Sequence, residues 1–284
     1  MRQHRYFPAK TTARFNLVIV HGMQEHSQRY HAFASYLSEQ GGHIITFDLP
    51  GHGADKFNDR LGDFGTDGLS SSFTAISEFF QSFANNLPNV LFGHSMGSAL
   101  ALRYAEQHQQ LAVLILCGLP VNPVWMLRLA YQAARLEQRL RANKPSVFSN
   151  LFKIYNHSCR PNKTTSDWLS INPINVQHYL NDPLCGYEIC PNYYVEMFGL
   201  MQEAFSAQEL SKLDLGLKVW VIWGEKDPVT GFGRGTRRFV HQLKKLGYAV
   251  DSQEYVGLRH EILNEAEHLQ VYTDVSQFIH QHLP

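Results

Sequence analysis

Cysteine is scarce in this chain of 284 residues: Cys117, Cys159, Cys185 and Cys190 are the four, with no C-x-x-C pair among them. Such a density excludes a small disulfide-stapled scaffold, and the expectation is reduced thiols in a cytoplasmic protein, with Cys185 and Cys190 the one pair close enough in sequence to consider. An excess of either charge is also lacking, since 25 basic residues face 25 acidic ones. Composition therefore offers no footprint for nucleic acid or an anionic surface. No apolar run approaches the ~18 residues of a membrane span. The opening MRQHRYFPAK carries positive charge without an apolar stretch behind it, so it does not read as a signal peptide. The 15 histidines are scattered, with no H-E-x-x-H and no Cys/His cluster at ligand spacing, and no metal is expected.

What is present is the composition of a globular protein, 44% hydrophobic and 18% charged. Its length suits one domain carrying an insertion. Short apolar runs rich in β-branched residues alternate with longer amphipathic stretches, the pattern of a mostly parallel sheet with helices on both faces. Strands are expected at 16–20, 43–48, 89–92, 111–117, 218–223 and 249–255, with at most one more near 4–7. Helices are expected at 27–40, 69–85, 96–109, 236–246 and 268–282. Between Leu119 and about Leu210 the alternation stops, and the sequence turns aromatic, helical and interrupted by prolines. So long an excursion between two strands reads as an inserted helical cap. The organisation is thus core at 1–119, cap at 120–210 and core again at 211–284.

The segment NVLFGHSMGSALALRYAEQH runs from strand through Gly93-His94-Ser95-Met96-Gly97 into helix. That is G-x-S-x-G in the strand-turn-helix setting that gives the pattern chemical meaning. A serine hydroxyl is a poor nucleophile until a base takes its proton, and it must stand clear of the strand end to meet both base and substrate. The helix that follows directs its N-terminus at the site, where the Met96 N–H can bond a developing oxyanion. The early strand ends in His21-Gly22-Met23, which makes the Met23 N–H the second candidate donor, with the His21 side chain read as packed and hydrogen-bonded beneath the loop. After Ser95 an acid is expected at a late strand end, then a histidine before the final helix. LKVWVIWGEKDPV supplies Asp227 and YVGLRHEILNE supplies His260. Asp214 precedes its strand, Asp251 lies inside one, and Glu225 sits earlier in the loop. His268 and His280 fall on the last helix, where surface positions explain them. Glu261 and Asn264 suit loop-holding hydrogen bonds or helix capping equally. Asp48-Leu49-Pro50-Gly51-His52-Gly53 marks a further tight turn, with Asp48 and His52 read as structural.

HGMQEHSQRY, DLPGHGAD, GHSMG, NDPL, GEKDPV and RHEILNE occur in the order and spacing of the monoacylglycerol lipase and lysophospholipase branch of the α/β-hydrolases, and the chain resembles that branch from Val20 to Glu265. The resemblance implies Ser95, Asp227 and His260 as a catalytic triad, Met23 and Met96 as oxyanion donors, and no cofactor. It also implies hydrolysis of a single-chain acyl ester or lysolipid, with the cap placed to touch a membrane surface; it says nothing of oligomeric state. Two departures stand out. Ser98 occupies a place where a third glycine is common, and the usual N-terminal hairpin is cut short. A prolyl-aminopeptidase type of amidase shares the fold and triad, but it needs cap carboxylates to hold a substrate amine. The insertion's acids are few, chiefly Glu137, Asp167, Asp182, Glu188, Glu196 and Glu203. A ligand sensor on the same fold is a third reading, separated from an enzyme by its turnover.

Overall fold

The computed structural model describes residues 2–65, 68–108, 110–142 and 144–283. A run of β-branched residues with no polar interruption is stable only where both strand faces are covered. Among the described residues the chain forms seven strands, the second to the sixth of them buried almost throughout: β1 (His4–Phe7), β2 (Phe15–Val20), β3 (Gly42–Phe47), β4 (Asn89–His94), β5 (Val113–Cys117), β6 (Lys218–Gly224) and β7 (Val250–Tyr255). They form one sheet in the order β1-β3-β2-β4-β5-β6-β7. Only β1 runs antiparallel, pairing with β3 at the edge.

Alternate residues of each strand serve different cores. On β2, Phe15, Leu17 and Ile19 join the core formed with α1 (His31–Glu39) and α10 (His268–His282), whereas Val18 and Val20 enter the core on the opposite face. That second core takes in α2 (Ser70–Ser82), α3 (Met96–Gln107) and α9 (Arg234–Lys245). The segment between β5 and β6 holds α4 (Val124–Arg141), α5 (Asn150–Ser158), α6 (Pro173–Asn181), α7 (Pro191–Ala204) and the short α8 (Ala207–Leu210). α7 crosses against both α4 and α3 and puts Tyr193, Tyr194 and Met201 into the same core.

The expected strands are all present, shifted at their ends by two residues at most. The helix expected over 27–40 divides into a 3₁₀ turn, Ser27–Tyr30, and α1, because Tyr30 at φ −97° and ψ 6° leaves the helical region. The helix expected at 236 begins at Arg234 instead, with Gly233 in the left-handed conformation turning the chain into it. The helix expected to end at Gln109 is seen to Gln107; Gln109 itself lies outside the described residues.

Register positions the site. Val20 pairs with Gly93, His94 with Cys117 and Gly224 with Tyr255, so the carboxyl ends of five strands stop together. The loops that follow, carrying 21–23, 95–97, 225–227 and 256–260, therefore share one edge of the sheet, where open α/β sheets bind ligands.

Candidate active site

β4 delivers the elbow. Ser95 has φ 54° and ψ −123°, a conformation that a residue with a side chain adopts only when its surroundings enforce it. Here the Ser95 N–H donates to Cys117 O at 2.8 Å, and Ser95 O accepts both the N–H and the hydroxyl of Ser98, at 2.9 and 2.5 Å. So sharp a turn brings α3 against β4. A Cβ on Gly93 would lie 2.3 Å from Gly97 O, and one on Gly97 would lie 2.3 Å from His21 O; both contacts are with backbone that cannot move aside. Ser98 sits where a third glycine is common, yet it is buried and its hydroxyl fastens the elbow, a role sequence reading did not find.

β6 and β7 deliver the acid and the histidine. His260 Nδ1 lies 2.8 Å from Asp227 Oδ2, and both side chains are almost wholly buried. A carboxylate only accepts, so Nδ1 carries the proton and Nε2 keeps its lone pair. The other carboxylate oxygen accepts the Val229 N–H at 2.8 Å, which fixes the plane of Asp227. The His260 ring lies between Trp168, at 5.3 Å between centroids, and His94, at 4.8 Å. Ser95, His260, Met23 and Met96 border one cavity of about 240 Å³. Ser95 Oγ makes no hydrogen bond to His260 in this structure. As the first residue of α3, Met96 has no intrahelical acceptor for its N–H, and the Met23 N–H makes no hydrogen bond among the described residues. Serine, an imidazole held from behind by a buried carboxylate, and two free N–H groups facing one space can hold and neutralise a tetrahedral oxyanion.

Beneath the cavity lies a buried ionic network of which sequence reading picked out Glu261 alone, as a loop-holding residue. Glu25 Oε1 accepts the Gly22 N–H at 2.6 Å, the Tyr30 hydroxyl at 2.7 Å and His94 Nδ1 at 3.1 Å. His94 Nε2 reaches His260 O at 3.3 Å. Both His94 nitrogens thus face acceptors, the arrangement of an imidazolium. Burial works against that charge, but the Glu25 hydrogen bond and the charges of Glu25 and Glu261 raise the His94 pKa above its ordinary value. Arg29 donates to Glu25 at 2.9 Å, to both Glu261 oxygens at 2.5 and 2.7 Å, and to Asn175 at 3.2 Å. Burial pushes both carboxyls up, yet His94 and Arg29 hold Glu25 well below the usual carboxylate range, and Arg29 holds Glu261 below it. The loop holding His260, the loop holding Met23 and the elbow are thereby pinned to one another.

The remaining residues singled out in the sequence have structural partners. Leu49 N–H donates to His21 Nε2 at 2.9 Å and His21 Nδ1 faces Gly22 O at 2.8 Å, a neutral ring whose pKa burial lowers. His52 bonds Pro50 O and the Tyr193 hydroxyl, and burial beside His21 drops its pKa to about 3. Asp48 accepts the N–H groups of Ser27 and Ala54 at 2.8 Å each. Asn264 bonds through its backbone, its N–H to Glu261 O at 2.9 Å. Glu265 accepts from the Ser170 hydroxyl and from the Ile171 and Asn172 N–H groups at 2.6 to 3.0 Å. All four thiols are free. Among the described residues, His26, Asp182 and Cys185 bring potential metal donors within 4.8 Å of one another. Burial pushes the Cys185 thiol far up, and Asp182 is already paired with His26 at 2.9 Å, so the trio reads as a tether between the insertion and the core.

The chain is similar to known proteins. Residues 11–267 match the family model described as serine aminopeptidase, S33. The chain is 28% identical to the monoacylglycerol lipase of Mycolicibacterium smegmatis, over 96% of its own length and 90% of that protein's. It superposes on a carboxyl esterase from Bacillus coagulans with a TM-score of 0.89 at 25% identity, covering 98% of this chain and 93% of that one. The monoacylglycerol lipase of Paleococcus ferrophilus shares the fold, with a TM-score of 0.74 at 23% identity over 99% and 98% of the two chains. A match to nine-tenths of the sequence, joined to this sheet order and elbow, places the chain in the serine aminopeptidase S33 family of α/β-hydrolases, on its monoacylglycerol lipase-like branch.

Proposed function

We propose that this protein is a serine hydrolase that cleaves carboxylic esters of single-chain lipids, of the monoacylglycerol or lysophospholipid type. The observation that carries the reading is Ser95 and the Asp227-held His260 opening onto a cavity whose other walls are mostly apolar, among them Leu127, Phe148, Phe152, Met197, Phe198 and Met201. In the proposed cycle His260 Nε2 takes the Ser95 proton as Oγ bonds the ester carbon, and the Met23 and Met96 N–H groups stabilise the oxyanion. The carbon–oxygen bond to the alcohol breaks, and His260 returns the proton to the leaving alcohol. Water then repeats the sequence on the acyl-enzyme and releases the acid. Asp227 orients the imidazole and balances its charge. No step asks for a cofactor. Against an aminopeptidase stands the lack, among the described residues, of a free carboxylate in the cavity walls, since the two there, Glu25 and Glu261, are both engaged by Arg29.

The insertion acts as a cap in this reading, and α4 is its membrane-facing side. Trp125, Leu129, Leu136 and Leu140 are 64%, 63%, 57% and 76% exposed. At 100° per residue they fall within a sector of about 60°. Exposed Arg128, Arg135 and Arg139 run alongside in the next sector. An apolar stripe flanked by cations fits a bilayer surface containing anionic lipid. The overall charge balance conceals this row.

Burying each CH₂ of the acyl chain is worth about 0.8 kcal/mol, roughly fourfold in kcat/KM where the chain is held in the transition state. Esters of two to sixteen carbons test the proposal: kcat/KM rises with length to a plateau, and Ser95→Ala loses both turnover and fluorophosphonate labelling. Preference for acetyl esters or aminoacyl amides, or equal labelling of the variant, refutes it.

A further inference from the structure

A second cavity of about 370 Å³ adjoins the first and shares Asn122, Tyr155 and Val229 with it as a common wall. Its far side is formed by the turn after Asp227 and by α9. The two spaces differ in chemistry. The first is mostly apolar; the second presents Thr230, Gln242 and Arg238 among further apolar residues, and no carboxylate among the described residues lines it. Neighbouring polar groups are committed: the Thr230 hydroxyl donates to Asp227 O at 3.0 Å, and Asn122 Nδ2 donates to Pro120 O at 3.2 Å. Other arginines nearby have partners as well, Arg237 with Glu254 and Arg259 with the carbonyls of Asp167, Ser170 and Cys159. The Arg238 guanidinium, in contrast, has no hydrogen bond or ion pair among the described residues, although it borders a cavity.

Arg238 is exposed, and an exposed guanidinium without a counter-charge on the wall of a cavity less apolar than the first can receive a planar or tetrahedral anion, its fork matching phosphate oxygens two at a time. A molecule lying across Asn122 and Val229 with its chain in the first cavity puts its other end in the second. We infer that the second cavity is a head-group site for a phosphate carried on the alcohol side of the ester, with Arg238 as its counter-charge. The inference rests on the proposed ester hydrolysis for the direction of the substrate. It narrows the substrate from acyl esters at large to those whose leaving alcohol bears phosphate.

The test compares kcat/KM for 1-decanoylglycerol 3-phosphate and 1-decanoylglycerol, both kept monomeric. The parent prefers the phosphate ester, chiefly through KM, and raising ionic strength erodes the preference. Arg238→Gln lowers the ratio about fivefold, the scale of one partly screened charged contact. Arg234→Gln, on the same helix but outside the cavity walls, keeps the parent ratio. An Arg238→Gln ratio equal to the parent's, or a parent that favours the neutral ester, overturns the inference. Calorimetric binding of decyl phosphate and decanol to Ser95→Ala, with and without Arg238→Gln, reads the same site without turnover. Tighter binding of the phosphate that depends on Arg238 supports the head-group site even if no ester is cleaved, an outcome that sinks the proposed hydrolysis alone. Equal binding of the two ligands overturns the site.

Discussion

Arg29→Met is the sharpest probe of how the site is held. The arginine joins Glu25 and Glu261, whose side chains are each 3% exposed, and it supplies all but one of the side-chain hydrogen bonds to Glu261, the other coming from Asn175 at 2.6 Å. Methionine keeps much of the length and none of the charge. Glu25 retains His94, Tyr30 and the Gly22 N–H, so the uncompensated charge falls on Glu261. Removing one partner of a buried pair costs about 3–5 kcal/mol. We expect a loss near ~4 kcal/mol at neutral pH, a large share of the stability of a domain this size. The pH dependence gives the sign. In the parent both carboxyl pKa values are depressed, so their contribution is present above the unfolded value and lost as pH falls through the folded values. In the variant, burial without Arg29 raises Glu261 above its unfolded value. The penalty is then greatest at high pH and shrinks as acid neutralises the group. Urea denaturation of parent and variant at pH 8 and pH 5 measures both effects, and Arg29→Met with Glu261→Gln recovers at least half the loss. A difference below about 1 kcal/mol, or one independent of pH, would falsify the claim that a charged Arg29–Glu261 pair holds this loop.

Other perturbations follow from single contacts. Asp227→Asn leaves the Val229 N–H bond available but lets an amide favour the wrong imidazole tautomer, so kcat falls roughly 10⁴-fold with the thermal midpoint little changed; a turnover near the parent's removes Asp227 from the mechanism. Gly22→Ala places a methyl 2.8 Å from Glu25 Oε1 and 3.0 Å from Ser95 Cβ, and the displaced elbow loses about 100-fold in kcat; steady-state kinetics with a p-nitrophenyl ester reads it. Burial, working against the Arg103 hydrogen bond, raises the Glu106 carboxyl to about 8, so its folded form prefers to be neutral and its contribution declines as pH rises from the ordinary carboxylate range through that value. Glu106→Gln flattens this decline, and denaturation midpoints at pH 6 and pH 9 reveal it. Replacing Arg128, Arg135 and Arg139 together by glutamine weakens binding to phosphatidylglycerol vesicles by on the order of 10²-fold or more, at about 1 kcal/mol per cation near the surface; sedimentation with such vesicles, and with phosphatidylcholine as control, measures the change.

The candidate site was legible where its determinants lie within a few residues of one another. Gly93, Ser95 and Gly97 state the elbow in five positions, and Gly224, Asp227 and Pro228 state a turn at a strand end. The sheet was legible for a related reason, since strands buried on both faces need unbroken apolar runs. Arg29 and Glu261 are 232 positions apart, and nothing local marks either as the other's partner. Ser98 looked like a tolerated substitute for glycine; only the chain reversal at Ser95 reveals that its hydroxyl closes on the carbonyl three residues back. Within the insertion, α5, α6 and α8 are short and the aromatics of α7 are spread around its buried face, so periodicity gave a helical character without boundaries.

The loop that carries His260 also has consequences for engineering. Arg259 grips the carbonyls of Asp167 and Ser170, Glu261 takes Asn175, and Glu265 collects the Ser170, Ile171 and Asn172 donors. One stretch of seven residues is at once the seat of the imidazole and the mooring of the insertion. The two parts are therefore not interchangeable modules. A chimera that imports a foreign segment between β5 and β6 unseats the imidazole unless it brings a matching 259–265 stretch, and diversity introduced at 167–175 is felt as lost turnover before it is felt as altered selectivity.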